Sequence, residues 1–168
     1  MSARVDCILE MKCSLAVLRR ALLNIMPEWE KYLLVDETGK LPLYRYNSQV
    51  IEKTGYSIII PGSHHVTKGG GIASFPSNRN ADNDWGFTLV SGTPEEGQWK
   101  FTYAEYNSQK AAAIEKKVLA EVATMHTRAR NELMGYETVQ DRVLGEERII
   151  EVLVPLSEMP GYQEGQLA

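Results

Sequence analysis

Cysteine and histidine are scarce in this sequence, at two and three of 168 residues. That excludes a disulfide-stapled scaffold, and neither a CxxC pair nor a zinc-type Cys/His spacing occurs. No stretch of about 18 apolar residues is present, so no membrane-spanning helix is expected. No GxxxxGK followed by Ser or Thr occurs, which removes the nucleotide loop built on that pattern. Nor does one sign of charge dominate: 18 basic residues stand against 22 acidic ones, a net −4. The clustered positive charge on which non-specific nucleic-acid binding depends is therefore missing from the chain as a whole. No internal repeat or low-complexity run divides it. No arrangement of nucleophile, base and acid stands in the sequence, and no cofactor or metal is implied. Arg4, Asp6, Glu10 and Lys12 interrupt any secretory apolar stretch, so reduced thiols and a cytoplasmic location are expected.

What is present is an ordinary globular balance, 43% hydrophobic and 24% charged. About 170 residues suffice for one domain with its own core. Arg4 to Lys12 alternate, with Val5, Cys7, Leu9 and Met11 on one face, as in a half-buried strand. Ser14 is a good N-cap for a helix whose stripe is Leu15, Leu18, Leu22 and Ile25; Pro27 ends it. Tyr32–Val35 and Leu41–Tyr46 flank Asp36-Glu37-Thr38-Gly39-Lys40 and read as a hairpin. Tyr56–Ile60 is a further strand. Trp85–Val90 and Trp99–Ala104 are aromatic-rich strands joined at Thr93–Gly97. A helix capped by Asn107 or Ser108 runs to about Met134, with Gly135 following as its αL residue. Two strands, Glu137–Val143 and Arg148–Val154, close the pattern. The expectation is an α+β domain over residues 1–156, in the order β-α-β-β-β-β-β-α-β-β. Its antiparallel sheet has about 5–7 strands with two helices on one face, and a polar tail follows over 157–168.

The segment from Pro61 to Asp84 breaks this pattern. Half of its 24 residues are Gly, Pro, Asn or Ser, and so long a connection inside a compact domain is usually functional or disordered. It carries His64, His65, Lys68, Gly69, Gly70, Gly71, Phe75 and Arg79, which are the candidate partner-binding residues. Adjacent histidines in extended chain point oppositely, so His64 and His65 favour separate contacts over one shared metal. Lys68 precedes its glycines, the reverse of a phosphate loop. Cys13 precedes a helix, the position of many reactive thiols, but a small boundary residue is the simpler reading. His126 lies beside the apolar stripe of the second helix. Lys110, Lys116 and Lys117 on that helix are interspersed with Glu115 and Glu121, as on a solvated face. Trp85, Phe87, Trp99 and Phe101 alternate as a sheet core requires, although base-stacking sheets share the pattern. From Glu137 onward seven acids face two bases, an acidic ending.

Three stretches carry a resemblance to a known family. The opening strand and helix with Leu15, Leu18, Ala21 and Leu22 form the first. Asp84-Trp85-Gly86-Phe87 followed by Gly97-Gln98-Trp99-Lys100-Phe101 form the second. Gly135-Tyr136-Glu137-Thr138-Val139 after a long helix is the third. Together they resemble a conserved hypothetical chloroplast reading-frame family of cyanobacteria and plastids, whose relatives are encoded beside AAA-type ATPases. Glu121-Val122-Ala123-Thr124 replaces that family's helix pattern, and the middle of this chain is longer. The resemblance implies no catalytic residue; it implies an accessory to an ATPase machine.

The expected function is a non-catalytic, protein-binding accessory or subunit of a larger assembly, with a protein partner or a second copy meeting the 61–84 loop. The alternatives are a small-molecule or metal-binding enzyme centred on His64, His65 and Asp84, and nucleic-acid binding through the second helix and Lys68.

Overall fold

The computed structural model describes residues 4–45, 50–62, 84–104, 108–145 and 147–154. The fold is α+β. Strand β1 (Arg4–Cys13), helix α1 (Leu15–Ile25) and a 3-10 turn (Pro27–Lys31) open the chain. Strands β2 (Leu34–Val35), β3 (Leu41–Arg45), β4 (Val50–Tyr56), β5 (Ile58–Ile60), β6 (Trp85–Thr93) and β7 (Glu96–Ala104) follow. Helix α2 (Ser108–Leu133) and strands β8 (Glu137–Leu144) and β9 (Glu147–Leu153) complete it. Contacts divide the chain into two compact units, Met1–Val122 and Ala123–Ala168.

The first unit is built on a five-stranded antiparallel sheet in the order β1-β7-β6-β5-β2. Its register aligns whole rows of side chains. Cys7, Phe101, Phe87, Ile58 and Val35 are successive cross-strand partners, and so share one face. Asp6, Thr102, Gly86, Ile59 and Leu34 form the next row, on the other face. The first face holds the aromatic core. Phe87 stacks on Phe101 at 4.5 Å, Trp85 meets Phe101 edge-on at 5.8 Å, and all three are fully buried. Such pairs add about 0.5–1.5 kcal/mol each beyond area burial. The Trp99 indole donates to the Cys13 carbonyl at 3.0 Å and ties β7 to the end of β1.

Both helices belong to this face. The Cys7 thiol donates to Glu115 of α2 at 3.0 Å, and Asn24 of α1 donates to Glu121 of α2 at 2.9 Å. Ser14 caps α1 as its sequence requires, its hydroxyl accepting from Val17 N–H at 3.0 Å. Leu15, Leu18, Ala21 and Leu22 are buried on α1, and Ala111, Ile114, Val118 and Val122 on α2.

The middle strands differ from the sequence expectation. β2 and β3 do not pair with each other; β2 pairs with β5, and β3 with β4 in a separate two-stranded sheet. The turn after β2 is the physical reason. Asp36 N–H donates to the Ser57 carbonyl, while the Asp36 carboxylate accepts from Thr38 N–H and Lys40 N–H, each at 3.0 Å. That Asx-type turn directs the chain out of the sheet. Tyr56–Ile60 is likewise two strands, because Ser57 gives its N–H to the Phe87 carbonyl and breaks the run. Among the described residues six strands rather than five therefore lie between the helices.

The β3–β4 pair covers the second face. Leu43, Tyr56 and Ile59 form a buried cluster with Leu41 packed against it. Gly86 makes the approach possible: a Cβ there would lie 2.5 Å from Tyr56 Cδ1 and 3.0 Å from Leu43 Cδ1. The Tyr56 hydroxyl donates to Thr102, which donates on to Asp6 at 2.7 Å, so the buried phenol is satisfied.

In the second unit β8 and β9 pair, among the described residues, only with each other. Gly135, at φ +74°, ends α2 before them. Asp141 receives Arg148 at 2.8 Å and also pairs with Arg128, and Arg142 pairs with Glu151 at 3.3 Å. No helix among the described residues is long and apolar enough to cross a membrane.

Candidate functional site

The connection expected to carry function joins β5 to β6. Its stem is held by one buried carboxylate. Asp84 is 4% exposed. Its Oδ1 accepts from Gly62 N–H at 2.9 Å and its Oδ2 from Tyr44 N–H at 3.0 Å. Asp84 N–H donates to the Tyr44 carbonyl at 3.1 Å, and Arg4 donates to the Asp84 carbonyl at 2.8 Å. Ile60 pairs with Trp85 across the ladder just inside this clasp. Gly62 and Asp84, which flank the 21 residues 63–83, are thus fixed side by side. Burial pushes the Asp84 carboxyl above the usual carboxylate range; the Tyr44 and Gly62 amides and the Arg4 charge pull it part of the way back.

The expected contact residues themselves, His64, His65, Lys68, Gly69, Gly70, Gly71, Phe75 and Arg79, lie outside the described residues, as do Asn107 and the 157–168 tail. Asp84, considered with His64 and His65 for a metal or acid–base role, instead spends both oxygens on backbone amides. Among the described residues no group of three or more His, Cys, Asp or Glu side chains is placed to hold a metal ion.

Both cysteines are free thiols. The Cys7 thiol is pushed up to about 11 by its hydrogen bond to Glu115, then by burial and by the charges of Glu115 and Glu10. Burial pushes the Cys13 thiol up to about 11, against a smaller lowering by Trp99. Neither has the low pKa of a nucleophile. Trp85, Phe87, Trp99 and Phe101 are fully buried, so they are core and not a stacking platform. His126, Lys110, Lys116 and Lys117 are exposed on α2.

The second unit presents the most exposed apolar surface. Twelve large hydrophobic residues are exposed among the described residues, and seven of them lie between Leu133 and Val154. Leu133 is 89% exposed, Val143 64% and Val139 59%. The sequence signal was the β-branched content of the last two strands. The expectation of a sheet to bury them hid its meaning. The structural role of Asp84 was hidden too, because its partners, Tyr44 and Gly62, bind through backbone amides that no side-chain pattern reports.

Comparison of the chain with protein-family models, with curated proteins and with solved structures finds no match in any of the three.

Proposed function

We propose that this chain is a non-catalytic, protein-binding accessory: a subunit or adaptor of a larger assembly. The carrying observation is the apolar surface of the β8–β9 hairpin and the preceding helix end. An isolated two-stranded hairpin is marginal in water, and its exposed apolar side chains stand on both faces, Val143 on one and Leu144 on the other, where a partner can bury them. Val139, Val143, Leu144 and Leu153 are the side chains that a partner covers. Glu137, Glu147 and Glu151, exposed on the same two strands, supply polar groups beside them. The 61–84 connection is a second contact, supported by its clasped stem: fixing the ends of a long segment lowers the chain entropy that a contact made through it has to overcome. The resemblance of the opening, central and closing stretches to the plastid reading-frame family makes an ATPase machine the first assembly to examine. Two free thiols fit a cytoplasmic setting.

The test is tagged purification from the native host with mass spectrometry, done in parallel on the wild type, on Val143→Lys with Leu144→Lys, and on a chain whose 63–83 segment is a short Gly-Ser turn. A stoichiometric companion lost from the hairpin variant supports the reading. Recovery of the protein alone, under conditions that keep known complexes intact, overturns it.

A further inference from the structure

Strand β6 runs from the Asp84 clasp at one end to the Pro94-Glu95 turn at the other. At that far end a cleft of about 520 Å³ opens between the start of α1, the turn after β2 and the β6–β7 turn. Leu15, Ala16, Val35 and Pro94 give it an apolar lining, and Arg19, Glu37 and Glu95 stand among them. None of these three charged side chains is in an ion pair among the described residues. Two of the amides at the helix start are already engaged. Leu15 N–H donates to the Pro94 carbonyl at 2.7 Å and Val17 N–H to the Ser14 hydroxyl at 3.0 Å. Two carboxylates against one guanidinium therefore set the sign of the cleft.

The cleft adjoins a sheet edge. β2 is the last strand of its sheet, with no strand beyond it among the described residues. Asp36 N–H points inward to Ser57. Antiparallel alternation then turns the N–H and C=O of Val35 outward. Val35 thus offers a side chain to the cleft and a peptide group to the edge. It is 38% exposed and its neighbour Leu34 49%.

We propose that this cleft receives an extended segment of a partner protein bearing a lysine or arginine. The segment's backbone pairs with the outward peptide group of Val35. One of its apolar side chains covers Leu15 and Pro94, and its cation sits by Glu37 and Glu95. Arg19 donates to a carbonyl of the segment. Charge complementarity selects this occupant over an acidic one. The inference shares with the proposed function only the premise of protein binding; it uses a different surface from both the hairpin and the 61–84 connection.

The probe is a capped, fluorescein-labelled heptapeptide of alternating valine and lysine, titrated with the intact protein and followed by anisotropy. A valine–glutamate heptapeptide is the control. The lysine peptide is expected to bind saturably and more weakly as salt rises, and the glutamate peptide not to bind. Glu37→Gln and Glu95→Gln alter exposed side chains that the fold does not use. Each is expected to weaken binding by about two- to fivefold, and the pair by about tenfold. Val143→Lys in the hairpin leaves this affinity unchanged, which separates the inference from the proposed function. No binding at about 1 mM peptide, equal binding of both peptides, or binding indifferent to the two substitutions overturns it. A concentration-dependent dimer abolished by the same substitutions also overturns it, and assigns the cleft to a second copy of the chain.

Discussion

Replacing Asp84 by alanine removes the buried carboxylate that joins the described ends of the long connection. Gly62 N–H and Tyr44 N–H lose their partners at 2.9 and 3.0 Å, and Gly62 is buried. Unpaired amides cost about 1–3 kcal/mol each, so the two together cost about 2–6 kcal/mol; relief from burying a carboxylate returns part of it, leaving a net loss of about 2–4 kcal/mol. With a urea slope of about 2 kcal/mol/M, the unfolding midpoint falls by about 1–2 M. Tryptophan fluorescence reads this directly, since Trp85 sits next to the clasp and is fully buried. Amide exchange gives the local readout: Tyr44 and Gly62 lose protection first. The isosteric Asp84→Asn adds a pH test. Because burial raises the folded carboxyl above its ordinary 3.8, the folded state holds the proton more tightly than the unfolded one. Stability from this group is therefore full below 3.8 and declines as pH rises through the raised folded value. The advantage of wild type over Asp84→Asn shrinks across that window. A midpoint shift under about 0.3 M for Asp84→Ala, or an advantage that grows with pH, refutes the clasp as described.

Gly86→Ala places a Cβ 2.5 Å from the Tyr56 ring, and denaturant unfolding should show a loss of about 1–3 kcal/mol. Tyr56→Leu in the same chain should recover part of that loss; strict additivity would contradict the close approach. Glu115→Gln weakens the hydrogen bond that is the largest cause of the raised Cys7 thiol, at about 11, and removes the Glu115 charge that adds to it. Alkylation of Cys7 at pH 8 should then accelerate on the order of tenfold, with Cys13 unchanged as the internal reference. Val143→Lys with Leu144→Lys replaces side chains that are 64% and 54% exposed. Urea stability should move by less than about 0.5 kcal/mol, while partner recovery is lost.

Where side-chain periodicity meets a single buried face, the sequence is readable. The alternation of β1, the stripe of α1 under its Ser14 cap, and the Trp85–Val90 and Trp99–Ala104 strands all fall where their patterns predict. The α+β class follows from those elements. The β2–β3 region is misread because its pairing is decided by hydrogen bonds of Asp36 and Ser57, not by apolar spacing. β8 and β9 alternate well enough to be recognised as strands, but periodicity carries no information about which sheet a strand joins. The cleft is invisible for a related reason: Arg19, Glu37 and Glu95 come from three separated turns and meet only in the folded chain.

The pairing of β1 with β7 also sets a timetable. Arg4 lies beside Ala104, a hundred positions later in the chain. During synthesis at about 5–20 residues per second, β1 waits about 5–20 s for its only ladder partner among the described strands. Through that interval the nascent strand exposes Val5, Leu9 and Met11 with nothing to pair its backbone. The sheet cannot close until β7 has left the ribosome. This order of events makes folding slow by the logic of non-local contacts, and leaves the emerging amino-terminal strand as the segment most in need of a chaperone's shelter.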